Sequence, residues 1–386
     1  MSYSPPSSAV PFTLNVSDKD FSEFRQLLQL SRIGPLTWEG KQDDRRFGVT
    51  HQWLTEAKDY WLNKYNWRAQ EMHINSFSNY KMAIQDEVGG DLSVHFVGMF
   101  SEKKDAIPIV LMHGWPGSFL EFLPMLGLVR GKYSPSNLPY HLVVPSLPGY
   151  TLSSGGPLDR DWSMDDTARV IDKVMKNLGF NKYIAQGGDV GSFVGRLLAT
   201  DYDSCAALHL NFTRIAELPD ANEPGLSEAQ KKGVARAKHW RETGMAYAME
   251  HGSRPSTISL VLSSNPLALL AWIGEKMLEW TDDDPSLDTI LTNVSLYWFT
   301  QGFPRSIYPY RKLIYGPRAE PPYVQKPLGF SWFPMELGPM IKSLAEKQGN
   351  MVFYRKHEKG GHFAALEQPK ELLEDVEDFV KAAWKV

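Results

Sequence analysis

Residues 184–193, IAQGGDVGSF, place a single carboxylate on a sharp bend of the chain. Ile184 and Ala185 close an apolar run, Gly187, Gly188 and Gly191 supply a turn, and Phe193 to Ala199 has the apolar spacing of a helix. A small-x-nucleophile-x-small turn between strand and helix aims one side chain into the crevice beyond the strand's end. Serine commonly occupies that place; here it is Asp189. Neighbouring serines do not substitute for it. Ser192 is flanked by Val190 and Val194, too large for the bend, and Ser118 lies outside any strand–turn–helix pattern.

A carboxylate nucleophile narrows the chemistry. Its attack on a carbonyl gives an anhydride, which reverts; its attack on an sp³ carbon with a strained or good leaving group gives a stable ester. Water activated by a base then cleaves that ester at its carbonyl. Two backbone donors suit the resulting oxyanion: Val190 N–H, and Trp115 N–H in the loop HGWPGS (113–118), where His113, Gly114 and Pro116 complete the turn after IPIVLM. The expected base is His362 in KGGHFAALEQP, after the last strand and before the last helix. Its expected charge partner is Glu336 in GFSWFPMELGP, which would hold the ring's tautomer. The chain order Asp189, Glu336, His362 is that of triads on α/β-hydrolase sheets. HEKGGH (357–362) is no zinc helix, because its histidines stand five apart around two glycines.

Epoxides and alkyl halides both suit such a nucleophile. A departing halide needs only weak donors, often an indole beside the nucleophile, whereas Val190 follows Asp189. A departing alkoxide needs an acid, and a phenol donates a proton while staying neutral at pH 7. The candidates are Tyr247 in GMAYAMEH and Tyr308 or Tyr310 in FPRSIYPYRK. Two rivals stand beside an epoxide-opening enzyme: a dehalogenase using the same Asp–His pair, and a hydrolase fold kept only to bind a ligand.

These residues need a scaffold. Residues 1–13 read as a flexible lead and 18–90 as mostly helical with turns, with FSEFRQLLQL and LTEAKDYWLNKYNW on a 3.6 period. DLSVHFV (91–97) alternates as a half-buried strand. Then short apolar runs at 107–114, 141–149, 183–189, 206–212 and 351–358 alternate with helix-like segments such as 163–178 and 192–202. Strands alternating with helices predict an α/β fold, a mostly parallel sheet covered on both faces. The block from 215 to 318 reads as helices, with a capping box at Ser227 and Gln230 and an Asn265-Pro266 start. It reads as a lid over the sheet's C-terminal edge. The expected division is an N-terminal extension at 1–90, core at 91–214, lid at 215–318 and core again at 319–386.

Bulk properties exclude other classes. The 386 residues are 42% hydrophobic and 22% charged, which supports a packed core. The net charge is −4 with basic residues scattered, so no nucleic-acid groove is expected. Twelve Trp, 16 Tyr and 19 Phe suit both a core and an aromatic-lined pocket. Cys205 is the only cysteine, so no internal disulfide exists. No apolar run reaches the ~18–20 residues of a membrane span. MSYSPPSSAVPF lacks the basic start of a secretion signal. A soluble, cytoplasmic protein is expected, its sequons at Asn15, Asn211 and Asn293 being chance.

Six motifs, in order and spacing, carry a resemblance over nearly the whole chain: HGWPGSFLEF, GGDVGSFVGRLL, YAMEHGSRPSTI, FPRSIYPYR, FPMELGP and GGHFAALEQP. With YNWRAQEMHINSFSNYKMAI and VHFV, the chain resembles the fungal soluble relatives of microsomal epoxide hydrolase. The resemblance implies an α/β-hydrolase fold with a helical lid and a meandering N-terminal extension. It implies Asp189 as nucleophile, His362 as general base and Glu336 as its partner, where Glu is one methylene longer than Asp but reaches the same imidazole nitrogen. It maps the two lid phenols to Tyr247 and Tyr310, with Tyr308 the alternate. It further implies small hydrophobic or aromatic epoxides and water as reactants, no cofactor, no metal, no membrane anchor and a homodimer.

Overall fold

The computed structural model describes residues 3–215, 217–220, 225–316 and 322–385. Among these, nine strands form one sheet: β1 Ala9–Pro11, β2 Asn79–Asp86, β3 Gly90–Met99, β4 Ile107–Met112, β5 Tyr140–Pro145, β6 Tyr183–Gly187, β7 Cys205–Leu210, β8 Val324–Trp332 and β9 Gly349–Lys356. Their order is β1-β2-β3-β5-β4-β6-β7-β8-β9. From β5 to β9 all pairings are parallel, and β1 to β3 add an antiparallel margin.

But for Ile107 at the start of β4 the central strands are buried, which is why IPIVLM, YHLVVP and YIAQG are apolar runs rather than alternating ones. Helices supply the cover. Met164–Asn177 packs with Asp189–Asp201, and Leu123–Lys132 with Pro369–Ala383. The last of these buries Leu372, Val376, Phe379 and Val380 along one stripe.

Strand order fixes the location of the crevice. The chain leaves β4 for β5 on one side and returns to β6 on the other. Connections therefore diverge between the C-terminal ends of β4 and β6, where open α/β sheets leave a crevice. The segments that follow these two strands begin at residues 113 and 188 and carry HGWPGS and Asp189.

Two expectations about the N-terminal part are corrected. Residues 79–86, read within a mostly helical stretch, form β2, paired along its full length with β3. Residues 9–11, read as part of a flexible lead, pair with β2 as an edge strand. The pattern of NYKMAIQD is mixed and short, and pairing with β3 decides its form. Elsewhere 18–90 is helical, at Asp18–Leu30, His51–Asn63 and Trp67–Asn75. Helices also fill the described residues between β7 and β8, from Glu228–Thr243 to Pro309–Tyr315. The Ser227–Gln230 capping box forms, and Asn265 Oδ1 accepts from Leu267 and Ala268 N–H ahead of Pro266. The expected boundary at 318/319 lies outside the described residues. No single helix among the described residues is long and apolar enough to cross a membrane.

The glycines around Asp189 answer to close backbone approach. A Cβ on Gly191 would lie 2.2 Å from the Met112 carbonyl oxygen, at the end of β4. Gly191→Ala is expected to push the first turn of the helix Asp189–Asp201 away from the end of β4 and cost about 1–3 kcal/mol. Urea unfolding of the variant would measure the loss.

Candidate active site

Asp189 is the first residue of its helix and has φ 42°, in the left-handed region that a non-glycine residue occupies at a cost. The strained turn lifts the carboxylate out of the strand and into the crevice. At the N-terminus of Asp189–Asp201, first-turn N–H groups have no intrahelical acceptor and the helix dipole favours negative charge. Val190 N–H belongs to that turn.

The two carboxylate oxygens of Asp189 have different surroundings. Oδ1 accepts a 2.7 Å hydrogen bond from Trp115 N–H. Oδ2 lies 3.4 Å from His362 Nε2, an ion-pair separation without hydrogen-bond alignment. A Cβ on Gly114 would stand 2.1 Å from Oδ1, so only glycine there lets the loop approach. The loop itself is braced. His113 Nε2 accepts from Leu147 N–H at 3.1 Å, which leaves Nδ1 to donate to the Gly114 carbonyl at 3.1 Å. Burial pushes the His113 pKa down to about 4, so the ring is a neutral strut. The Trp115–Pro116 peptide is cis.

His362 and Glu336 complete a charge series. Glu336 Oε1 accepts from His362 Nδ1 at 2.7 Å and from Leu337 N–H at 2.6 Å. The Glu336 side chain is fully buried and that of His362 nearly so. Burial works against a charged imidazole, but the carboxylates of Glu336 and Asp189 on either side outweigh it and hold the pKa well above 6.5. The backbone N–H of His362 donates to Trp280 O at 2.9 Å, and the ring packs edge-on against Trp280 and Phe212. Strand ends supply both groups: Glu336 follows β8 and His362 follows β9.

The three candidate phenols separate by position. Tyr247 stacks on Trp115 with centroids 5.3 Å apart, and Tyr310 meets the same indole edge-on at 5.8 Å. Burial first, and then the charge of Asp189, raise the pKa of Tyr247. Burial, Tyr247 and Asp189 raise that of Tyr310 in the same order. Both are therefore neutral phenols that feel the charge of the Asp189 carboxylate. The Tyr308 hydroxyl instead pairs with Thr167 Oγ1 at 2.6 Å, which also meets Trp162 Nε1 at 3.0 Å and Ser163 O at 3.2 Å. The structure thus brings Asp189, His362, Glu336, Trp115, Tyr247 and Tyr310 together and holds Tyr308 in a separate network.

Other residues bear on the site without having been singled out from sequence. Tyr297 donates to the Gly117 carbonyl at 2.8 Å, and Asn293 Nδ2 to the Pro116 carbonyl at 2.8 Å. Asn293 read only as a sequon, yet two polar side chains at i and i+4 in the apolar helix Leu287–Phe299 mark a buried polar face. His251 packs edge-on to Trp115 at 4.6 Å and accepts from Trp272 Nε1 at 3.0 Å. A small space of about 10 Å³, room for about one water, is lined by Asp189, His362, Gly114, Trp115, Glu121, Phe122 and Phe363 among others.

Comparison with known proteins places this geometry in a family. Residues 9–122 match the model of the epoxide hydrolase N terminus, and residues 107–288 that of the alpha/beta hydrolase fold. A Dothistroma septosporum protein named "Putative epoxide hydrolase" is 42% identical over 97% of this chain and 90% of its own length. The structure of Aspergillus niger epoxide hydrolase is similar over 100% of both chains, at 50% identity and a TM-score of 0.93. Epoxide hydrolase 1 of Sus scrofa is 28% identical over 96% of this chain and 88% of its own.

Tyr308→Phe is expected to cost about 1 kcal/mol of stability, the value of one buried hydrogen bond, and to leave turnover near that of the parent. Glu336→Gln is expected to lower the pKa of His362, because a carboxylate that raises it is removed. Imidazole NMR titration of the two proteins reads that shift.

Proposed function

For this chain, which belongs to the epoxide hydrolase family of the α/β-hydrolase fold, we propose a two-step mechanism through a covalent ester of Asp189. One observation carries the reading: Asp189 Oδ1 is engaged by Trp115 N–H at 2.7 Å, while Oδ2 stands free of such a bond on the side of His362.

In the first step Oδ2 attacks an epoxide carbon from behind. The ring C–O bond breaks, and its oxygen takes a proton from the Tyr247–Tyr310 pair. A neutral phenol suits this, since burial keeps both protonated at pH 7. In the second step a water attacks Asp189 Cγ as His362 takes its proton. Negative charge then develops on Oδ1, already facing Trp115 N–H and the helix N-terminus at Val190. Collapse of this intermediate breaks the Cγ–Oδ2 bond; the departing oxygen takes a proton from the imidazolium, the new carboxylic acid returns one to the ring, and a vicinal diol leaves as the carboxylate is restored.

The charge series makes His362 a base at the correct time. Two flanking carboxylates hold its proton in the free enzyme. Ester formation neutralises Asp189, removes one of them and lowers the proton affinity of the ring, whose proton then returns to the phenolate left by the first step. Glu336 then stabilises the imidazolium that forms when water is deprotonated. Indole, phenyl and phenol rings around the carboxylate favour small hydrophobic or aromatic epoxides. The helices of 215–318 act as a lid that carries the phenols, and the N-terminal 1–90 as an extension that braces it.

Asp189→Ala is expected to abolish turnover. Tyr247→Phe and Tyr310→Phe are each expected to slow alkylation by about 10²-fold, the usual worth of a general acid. Single turnover in oxygen-18 water tests the scheme most directly. Label is expected in Asp189, with the first diol carrying unlabelled carboxylate oxygen; label passing straight into the diol would refute the ester.

A further inference from the structure

The helix Glu228–Thr243 packs against the turn that carries Glu336. A Cβ on Gly233 would stand 3.2 Å from Pro339 Cβ and 3.6 Å from the Trp332 ring, residues on either side of Glu336 in the chain. Arg236, three residues on, shares that face of the helix. Its Nη2 donates to the Glu279 carbonyl at 2.9 Å. The next carbonyl, that of Trp280, accepts from His362 N–H at 2.9 Å. Arg236 thus joins the helix to the segment that holds the base, yet it has no part in the mechanism above.

Arg236 Nη1 and Glu336 Oε2 are both buried, and neither has a hydrogen bond among the described residues. They are opposite in charge. Both donors to Glu336, His362 Nδ1 and Leu337 N–H, fall on Oε1, which leaves Oε2 bare. Four carboxylates act on Arg236: Glu336 first, then Glu279, Glu367 and Asp282. Glu367 has its oxygens on the N–H groups of Phe363 and Asp282, and Asp282 has one on Gly360 N–H. Glu336 Oε2 is the buried oxygen among them that has no donor.

We propose that Arg236 is a positioning residue for ester hydrolysis that acts through Glu336: its positive charge on the Oε2 side moderates the pull of that carboxylate on the His362 proton, so that the ring gives the proton up once Asp189 is esterified. This rests on the two-step reading above. The charges balance only with Arg236. Before alkylation Asp189 and Glu336 are negative and His362 and Arg236 positive. After it Asp189 and the ring are both neutral, and Glu336 and Arg236 still cancel. Without Arg236 each state would hold an uncompensated negative charge in a buried site, which is expensive. The ring would relieve it by keeping its proton. Other charges stand near. Glu279 faces Lys276, Glu275 and His239 as well as Arg236. His362 also feels Glu121 and Glu367, whose pKa values burial raises to about 8 and about 7. These groups titrate in parent and variants alike, so each variant is compared with the parent at the same pH.

The test combines imidazole NMR titration of His362 with the rate of ester breakdown, read by rapid quench and mass spectrometry of Asp189 with styrene oxide as probe. Arg236→Gln keeps a donor for the Glu279 carbonyl and loses the charge. Its His362 midpoint is expected about one pH unit above the parent's. Hydrolysis needs the neutral ring, so its rate is expected to fall about 10-fold below the midpoint and to recover as pH rises, with alkylation near the parent rate. Arg236→Lys restores the charge and is expected to restore both readings. Arg236→Met, which loses charge and donor together, is expected to shift the midpoint as Arg236→Gln does. In a Glu336→Gln background, Arg236→Gln is expected to leave the midpoint where it stands. An unshifted midpoint in the Gln and Met variants, or the same shift with and without the Glu336 carboxylate, overturns the proposal. Failure of the two-step reading looks different: His362→Gln would then accumulate no adduct at Asp189, while the midpoint shift in Arg236→Gln would persist.

Discussion

The hydrogen bond from Trp115 N–H to Asp189 Oδ1 is the constraint on which the site's geometry depends. It requires two loops from adjacent parallel strands to meet over one carboxylate. A chain that runs from β4 to β5 and back to β6 separates those loops enough to leave a crevice, but only glycines let them meet again. Gly114 makes room for the carboxylate itself, Gly187 for the Gly191 carbonyl, and Gly191 for the Met112 carbonyl. The positive φ of Asp189 is the residual cost of this approach. It persists because β4 and β6, both fully buried at their C-terminal ends, fix the two sides of the turn.

Electrostatics then follow from burial. Glu336 and His362 are shut away from water, and Asp189 is only slightly open. In such surroundings an isolated charge is expensive, whereas a positive ring between two carboxylates is stabilised from both sides. The Leu337 N–H on Glu336 Oε1 stabilises the outer carboxylate further. Any event that neutralises Asp189 unbalances this series and is felt first by the imidazole. Under the ester mechanism proposed above, one arrangement would give a proton-holding ring before alkylation and a proton-accepting one after it.

Much of this was legible in the sequence because turn chemistry and strand burial leave local marks. The apolar runs of β4 to β7 and β9, the glycines about Asp189 and the caps at Ser227 and Asn265 each reflect a constraint within a few residues. The chain order of Asp189, Glu336 and His362 pointed to side chains that the fold brings within hydrogen-bond or ion-pair reach. Long-range pairing was not legible. Asn79–Asp86 has no run or strict alternation of its own and becomes a strand through β3, and Ala9–Pro11 becomes one through β2. The same limit applied to Tyr308 and Tyr310. Two residues apart in one motif, they point to different partners, and only the position of Thr167 separates them.

The N-terminal helices bear on the site through the helix Leu287–Phe299. Trp61 Nε1 reaches Ser295 Oγ at 3.3 Å and the Tyr65 hydroxyl reaches Thr292 Oγ1 at 3.1 Å. Both acceptors lie on Leu287–Phe299, the helix whose Asn293 and Tyr297 hold the carbonyls of Pro116 and Gly117. The donor side of the HGWPGS loop faces Asp189, so its carbonyls must find partners elsewhere, and this helix supplies them. The N-terminal region therefore does more than cover the core. It fixes the helix that fixes the loop, and the loop presents Trp115 N–H at 2.7 Å from the carboxylate. A fold that places an aspartate on a strained turn against a backbone donor needs such bracing, since a shift of an ångström at the donor would break the hydrogen bond.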